Sequence, residues 1–275
     1  MEISQGSPPA ATLAWPFPAI ARVTFERAEA LNTLTYEMID ALDSSLQAAQ
    51  EGGARVVVFT GAGKAFCAGA HVRYFTDPAS DLALDPSLVR DRYVKRIIDV
   101  FRKLRNSPFA TIAAINGFAL GGGCELALAC DFRLIAAQAR IGLTEGRVGA
   151  IPAANGLQLL AKLVGRAKAL EIILLADQLS AERALACGLV NAVHDAVELP
   201  EAALALAKRV LLCSPITVAE SKRAMLRCET ATADEADEIA LDALTFVTAR
   251  PDWREGMNAF VERRPPAWSG GARTH

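Results

Sequence analysis

Short apolar runs rich in β-branched residues recur along much of this chain, each leading into a glycine-punctuated turn and then a helical pattern. Arg55–Thr60 (RVVVFT) is followed by Gly61–Ala70 (GAGKAFCAGA), and Thr111–Asn116 (TIAAIN) by Gly117-Phe-Ala-Leu-Gly-Gly-Gly123. Runs without polar alternation mark strands buried on both faces. Such strands need helices to cover them, so the recurrence implies α/β layering around a core sheet. Ala19–Phe25 and Phe132–Ala137 read as further strands. Residues 35–50 carry Met38, Leu42, Leu46 and Ala49 on one helical face, with Thr35 as N-cap and Gly52-Gly53 as the stop. Residues 78–86 read as a loop. Residues 87–104 read as a helix ended by Ser107-Pro108, because proline disfavours helical geometry in the residue before it. After Val193 no strand pattern remains, and helical spacing covers roughly 200–213, 215–228, 233–248 and 251–262. The expected organisation is a loose, proline-rich tail over 1–18, a mixed core over 19–198 and a helical region over 199–275.

Of the 275 residues, 52% are hydrophobic and 22% charged, and the net charge is −2. That balance gives no bulk field toward nucleic acid or an anionic membrane, and no basic stripe with interleaved aromatics appears. No apolar run reaches membrane-spanning length, and the first eighteen residues lack the basic start and apolar centre of a secretion signal. A cytoplasmic location is expected. The six cysteines form no C-x-x-C pair and read as reduced, mostly buried thiols. His71, His194 and His275 are too scattered for a metal cluster.

Familiar nucleotide motifs fail. Gly61-Ala-Gly-Lys64 lacks the earlier glycine of a P-loop, and Ala65 stands where a magnesium-binding hydroxyl belongs. Gly117–Gly123 is not G-x-G-x-x-G, which disfavours a nicotinamide dehydrogenase, and there is no G-x-S-x-G nucleophile elbow. Gly121-Gly-Gly-Cys-Glu125 is more informative, because it sets three glycines at the mouth of an apolar helix. Glycine lets a ligand approach the backbone, and the first helical turn offers unpaired N–H groups at a positive dipole end. Such a turn can hold a developing negative oxygen. Taken alone, Glu125 could simply complement the helix dipole, and Glu145 could be a solvated loop carboxylate paired with Arg147. Phe66-Cys-Ala-Gly-Ala70 forms a second small-residue turn after a buried strand.

Together these segments resemble the crotonase (enoyl-CoA hydratase/isomerase) superfamily. The matching stretches are Ala65-Phe-Cys-Ala-Gly-Ala70, Asn116-Gly-Phe-Ala-Leu-Gly-Gly-Gly-Cys-Glu125 and Thr144-Glu145. They are joined by Arg27-Ala-Glu-Ala-Leu-Asn32, Leu163-Val-Gly165, Ser180–Ala184, Gly188–Asn191 and Glu255–Phe260. The resemblance implies a spiral of ββα units with C-terminal helices that build homotrimers or hexamers. It implies an enzyme that hydrates or dehydrates an acyl-CoA through an enolate, with coenzyme A as part of the substrate and no separate cofactor. By motif position it implies an oxyanion hole from the amides of Ala70 and Gly122. Glu125 matches the water-activating residue and Glu145 the one exchanging a proton with the α-carbon. Coenzyme A contacts fall on Ala28, Ala30, Leu31, Ala68, Arg73 and Arg263, the last in register with either Arg263 or Arg264. The acyl pocket falls on Tyr74, Phe75, Ala153 and Asn155.

Three departures stand out. His71 replaces an aspartate and reads as a surface imidazole. Thr144 replaces a proline. Ala153 and Asn155 replace two glycines. Double-bond isomerisation, another crotonase-type lyase or hydrolase reaction, and a non-catalytic CoA-ester or RNA-binding role on the same fold are the alternatives.

Overall fold

The computed structural model describes residues 9–269. The chain begins with an antiparallel hairpin, β1 (Ala11–Phe17) on β2 (Ile20–Phe25). Residues 11–17 therefore depart from the expected loose tail. Pro16 and the mostly exposed side chains hide this strand from a pattern search, yet both suit a sheet edge.

Next come β3 (Val56–Gly61), β4 (Ala65–Cys67), β5 (Ala110–Ile115), β6 (Phe118–Leu120), β7 (Phe132–Ala136), β8 (Arg140–Gly142), β9 (Leu179–Ser180) and β10 (Ala192–His194). They sort into two sheets. Six strands run in the order β1-β2-β3-β5-β7-β10, parallel from β2 onward, and four in the order β4-β6-β8-β9. The pairs β3–β4, β5–β6 and β7–β8 each place their first strand in the large sheet and their second in the small one. This is the ββα spiral. β3 and β5 are the uniformly apolar runs of the sequence, and they lie at the centre of the large sheet.

Helices cover these layers. α1 (Tyr36–Glu51) starts where Thr35 accepts a hydrogen bond from the amide of Met38, and it ends at Gly52. The segment expected to be a loop holds three short helices, α2 (Arg73–Thr76), α3 (Asp81–Leu84) and α4 (Pro86–Leu88). A π-helical turn over Val89–Val94 then leads into α5 (Lys95–Arg105), so the helix expected over 87–104 carries one widened turn. α6 (Gly122–Ala129) follows β6. α7 (Gly156–Val164), α8 (Arg166–Leu175) and α9 (Ala181–Ala186) follow β8. The C-terminal helices, α10 (Leu199–Val210), α11 (Pro215–Cys228), α12 (Ala233–Thr248) and α13 (Pro251–Glu262), fall within a residue or so of the sequence pattern at most of their ends. Among the described residues no single helix is long and apolar enough to cross a membrane.

Two side-chain amides, Asn32 buried and Asn116 partly buried, fix the turns on which the site is built. Asn32 accepts from the amide of Arg27 and donates to the carbonyls of Ala62 and Ala65. Asn116 accepts from the amide of Gly61 and donates to the carbonyl of Gly63. Each polar side chain thereby satisfies backbone groups that leave the ladders at the strand ends.

Candidate active site

The turn after β4 and the start of α6 come into direct contact. Gly69 and Gly121 both lie in the left-handed region, at φ +91° and +54°, where a side chain is strained. A methyl on Gly69 would sit 2.6 Å from the carbonyl of Leu120 and 3.2 Å from the amide of Gly122. A methyl on Gly122 would sit 3.9 Å from the amide of Ala70. The two amides are thus neighbours. Neither donates a hydrogen bond to any group among the described residues, whereas those around them are used: Leu34 donates to Gly69, Gly121 to Gly142 and Glu125 to Gly121. Gly122 opens α6, so its free N–H adds to the positive end of the helix.

Glu125 lies in the first turn of α6 and is only 3% exposed. The amide of Gly156, at the start of α7, donates to its Oε1 at 2.8 Å. Burial pushes the Glu125 carboxyl up to about 8, against the hydrogen bonds from the amides of Gly156 and Ala154, and the charge of Glu145 raises it further. Glu145 opens the 3-10 turn Glu145–Val148. Its Oε1 is 3.2 Å from where a Gly121 side chain would begin, which places this carboxyl over the same glycine turn. Glu145 Oε2 is buried without a hydrogen-bond partner among the described residues, and burial raises this carboxyl as well, against a bond from its own amide. Arg147 does not neutralise it. That guanidinium pairs with Asp177 and donates to the carbonyls of Leu175 and Ala176. Two acidic groups, Glu125 buried and Glu145 partly buried, therefore lie beside the glycine turn that carries the two unused amides.

The structure joins several other expected site residues to this centre. Ala28 and Ala30 bound a 3-10 turn, Leu31 follows in the left-handed region, and the amide of Ala68 donates to the carbonyl of Leu31. These residues form one ridge with the turn that carries Ala70. Arg73 is exposed at the start of α2. Arg263 caps α13 and is exposed, with no ion pair among the described residues, while Arg264 is held by Glu255 and Glu262. Among the described residues Arg263 is the less engaged of the two arginines, and no described contact connects it to the turns above.

The four residues expected at the acyl pocket fall into two groups. Tyr74 stacks on Tyr36 and Phe75 packs edge-on against Tyr93, whereas exposed Ala153 and buried Asn155 precede α7 beside Glu125. His71 is not a surface imidazole. It is half-buried, its Nδ1 lies 3.0 Å from Thr33 Oγ1, and its ring meets Tyr74 edge-on.

Gly156 is the functional position that sequence reasoning missed. Its signal in the sequence is a glycine opening an apolar helix, in the manner of Gly121–Gly123. A methyl on Gly156 would sit 2.7 Å from Pro152 Cβ and 2.8 Å from Glu125 Oε1, closer than real contacts allow. The Gly156→Ala variant is therefore expected to displace the Glu125 carboxyl and lower kcat by about 10- to 100-fold, since small displacements at a reacting centre cost on that order. Steady-state kinetics beside a melting curve checks this, and an unchanged kcat would detach Gly156 from the site.

Comparison with known proteins agrees with this geometry. A family model described as enoyl-CoA hydratase/isomerase matches residues 18–271. The crotonyl-CoA hydratase of Syntrophomonas wolfei is 34% identical over 247 residues, 89% of this chain and 92% of that protein. The (E)-benzylidenesuccinyl-CoA hydratase of Thauera aromatica is 34% identical over 255 residues, 91% and 95% of the two chains. The crystal structure of an enoyl-CoA hydratase from Bacillus anthracis superposes with a TM-score of 0.89 at 34% identity, covering 95% of this chain and 99% of that one.

Proposed function

The chain belongs to the enoyl-CoA hydratase/isomerase family, and from that premise we propose that it adds water across the α,β double bond of a 2-enoyl-CoA, or removes it in reverse, by the following division of labour. The thioester oxygen lies between the amides of Ala70 and Gly122. The two carboxyls share one proton, which rests on Glu125; in the reactive form it sits on Glu145, and the ionised Glu125 takes a proton from water as the oxygen attacks the β-carbon, while the electrons move onto the thioester oxygen as an enolate. Neutral Glu145 then delivers its proton to the α-carbon. One proton leaves water and one enters carbon, so the product gains one H₂O and the pair ends with its single proton moved from Glu145 to Glu125. Exchange with solvent restores the start. Coenzyme A enters as part of the substrate, and the chemistry requires no separate cofactor.

The observation that carries this reading is the pair of unused amides beside one buried and one partly buried carboxyl. An amide that meets no acceptor in the folded chain is free for one that arrives with the substrate. The raised carboxyls suit a pair that shares one proton near neutrality, one member acting as acid and the other as base. Ala28, Ala30, Leu31 and Ala68 form the ridge for the coenzyme A moiety, with Arg73 and Arg263 toward its phosphates. Tyr74, Phe75, Ala153 and Asn155 border the acyl group. The exposed apolar side chains of Met257, Phe260 and Val261 on α13 support a homotrimer or hexamer, in a cytoplasmic protein.

The test is turnover across a panel of 2-enoyl-, 3-enoyl- and 3-hydroxyacyl-CoA esters. Hydration or dehydration by wild type, lost in both Glu125→Gln and Glu145→Gln, is the expected result. Double-bond migration that survives Glu125→Gln would overturn it in favour of isomerisation.

The pH profile has a definite shape. With Glu125 at about 8, the shared proton leaves as pH rises through that value and both carboxyls become charged. The log of kcat/KM is expected to fall above about pH 8, and to fall again on the acid side as the pair takes a second proton. A profile flat from pH 5 to 9 would contradict the shared-proton scheme.

A further inference from the structure

The hydroxyl of Tyr93 bridges the two backbone stretches that flank the site. Tyr93 is 1% exposed on the π-helical turn Val89–Val94. It donates to the carbonyl of Leu34 at 2.6 Å and accepts from the amide of His71 at 3.2 Å. His71 directly follows Ala70. Leu34 is paired with the same turn through its amide, which donates to Gly69, and its side chain reaches within 2.8 Å of where a Gly122 side chain would begin. One hydroxyl thus touches the chain beside each of the two free amides, on the Ala70 side directly and on the Gly122 side through Leu34.

The surroundings make the bridge specific. All three tyrosines of the chain meet here: Tyr93 lies edge-on to Tyr36 and Tyr74, and Phe75 packs edge-on against Tyr93. Packing by three aromatic rings leaves the ring little freedom, so the direction of its hydroxyl is fixed. Burial holds the Tyr93 phenol well above its ordinary range, and it remains a neutral donor to Leu34 throughout the working pH range. Widened π turns are uncommon and cluster at functional positions, and here the extra residue falls in the turn that carries Tyr93.

We propose that Tyr93 is a positioning residue for the oxyanion hole, fixing the spacing and aim of the Ala70 and Gly122 amides by clamping His71 to Leu34. This rests on the enolate reading of the site. Deleting the hydroxyl removes the acceptor of the His71 amide and a donor to the buried Leu34 carbonyl, leaving the parallel bridge between Leu34 and Ala70 to hold the two stretches alone, so the turn is expected to shift. Because the amides matter most when charge develops on the oxygen, the loss falls on kcat rather than on KM.

The experiment compares wild type, Tyr93→Phe and a packing control, Ile97→Val, which trims a buried side chain one turn further along the same helix. Each is assayed with the best 2-enoyl-CoA of the panel and melted by circular dichroism. In a Glu145→Gln background, which slows consumption, the absorbance red shift of the bound conjugated thioester reports how strongly its carbonyl is polarised. Tyr93→Phe is expected to lose about 10- to 100-fold in kcat with KM within threefold of wild type, and to show a smaller red shift. Ile97→Val is expected to melt lower with kcat retained. Wild-type kcat in Tyr93→Phe, or a lower kcat with an unchanged red shift, overturns the proposal. Equal loss of kcat in Ile97→Val and Tyr93→Phe would overturn it too, by making the effect one of packing. If wild type hydrates no enoyl-CoA, the functional reading fails first, and that outcome is distinguishable from a normal Tyr93→Phe in an active enzyme.

Discussion

Glu145→Gln is expected to lower kcat for hydration by about 10³-fold with little change in KM, and Glu125→Gln by a similar factor. Positioned proton transfer contributes on the order of 10²–10⁴-fold, and the amide isostere keeps the shape of each site while abolishing its titration. The two variants should nevertheless differ in stability. Glu125 rises from the ordinary carboxylate range to about 8 because burial penalises its charge. For an acid with a raised folded value, the favourable contribution is fully present below the unfolded value and is lost as pH climbs through the folded one. Wild type therefore carries a buried charge at pH 9 that it does not carry at pH 5. Glu125→Gln removes that charge, so the melting temperature of the variant relative to wild type should increase from pH 5 to pH 9. Residual hydration within tenfold of wild type, or a melting difference independent of pH, would contradict the assignment.

The second large effect concerns the backbone. Gly122→Pro removes one of the two free amides at the first position of α6, where a helix tolerates proline because that N–H has no intrahelical partner. The new ring meets the tip of Leu34, a movable side chain. One oxyanion donor is typically worth about 3–4 kcal/mol in the transition state, which is a loss in kcat of about 10²–10³-fold. Binding of a non-reactive acyl-CoA, measured by titration, should weaken as well, because the proline Cδ takes the place of the amide hydrogen that faces the thioester oxygen. A variant that folds and turns over at the wild-type rate would show that the Gly122 amide does not face the reacting oxygen.

Much of this arrangement could be read from the sequence where a single local rule governs the outcome. The C-terminal helices have strong apolar periodicity and stop at clear signals, and α12 even begins with a reciprocal cap between Thr232 and Glu235. The glycine turns were legible because a chain that needs left-handed backbone and close approach needs glycine. Elements whose stability comes from neighbours were harder. β1 buries little of its own surface and contains a proline, so its identity depends on β2 beside it. The widened turn at Val89–Val94 has no residue signature, because it reflects how Tyr93 must reach Leu34 and His71. Arg147 looked like a partner for Glu145 in sequence, but it lies closer in space to Asp177. His71, read as exposed, meets Thr33 and Tyr74 only through the folded turn. Linear spacing cannot register such meetings.

The terminal strand has a consequence for solubility. β1 closes one flank of the six-stranded sheet, and its ladder breaks register between Ala14 and Phe17 around Pro16. A broken, proline-bearing border is a poor template for a strand from another molecule. β2 behind it is regular and mostly apolar, so a chain trimmed at Phe17 would present a smooth, adhesive rim and become prone to self-association into fibrous or amorphous aggregates.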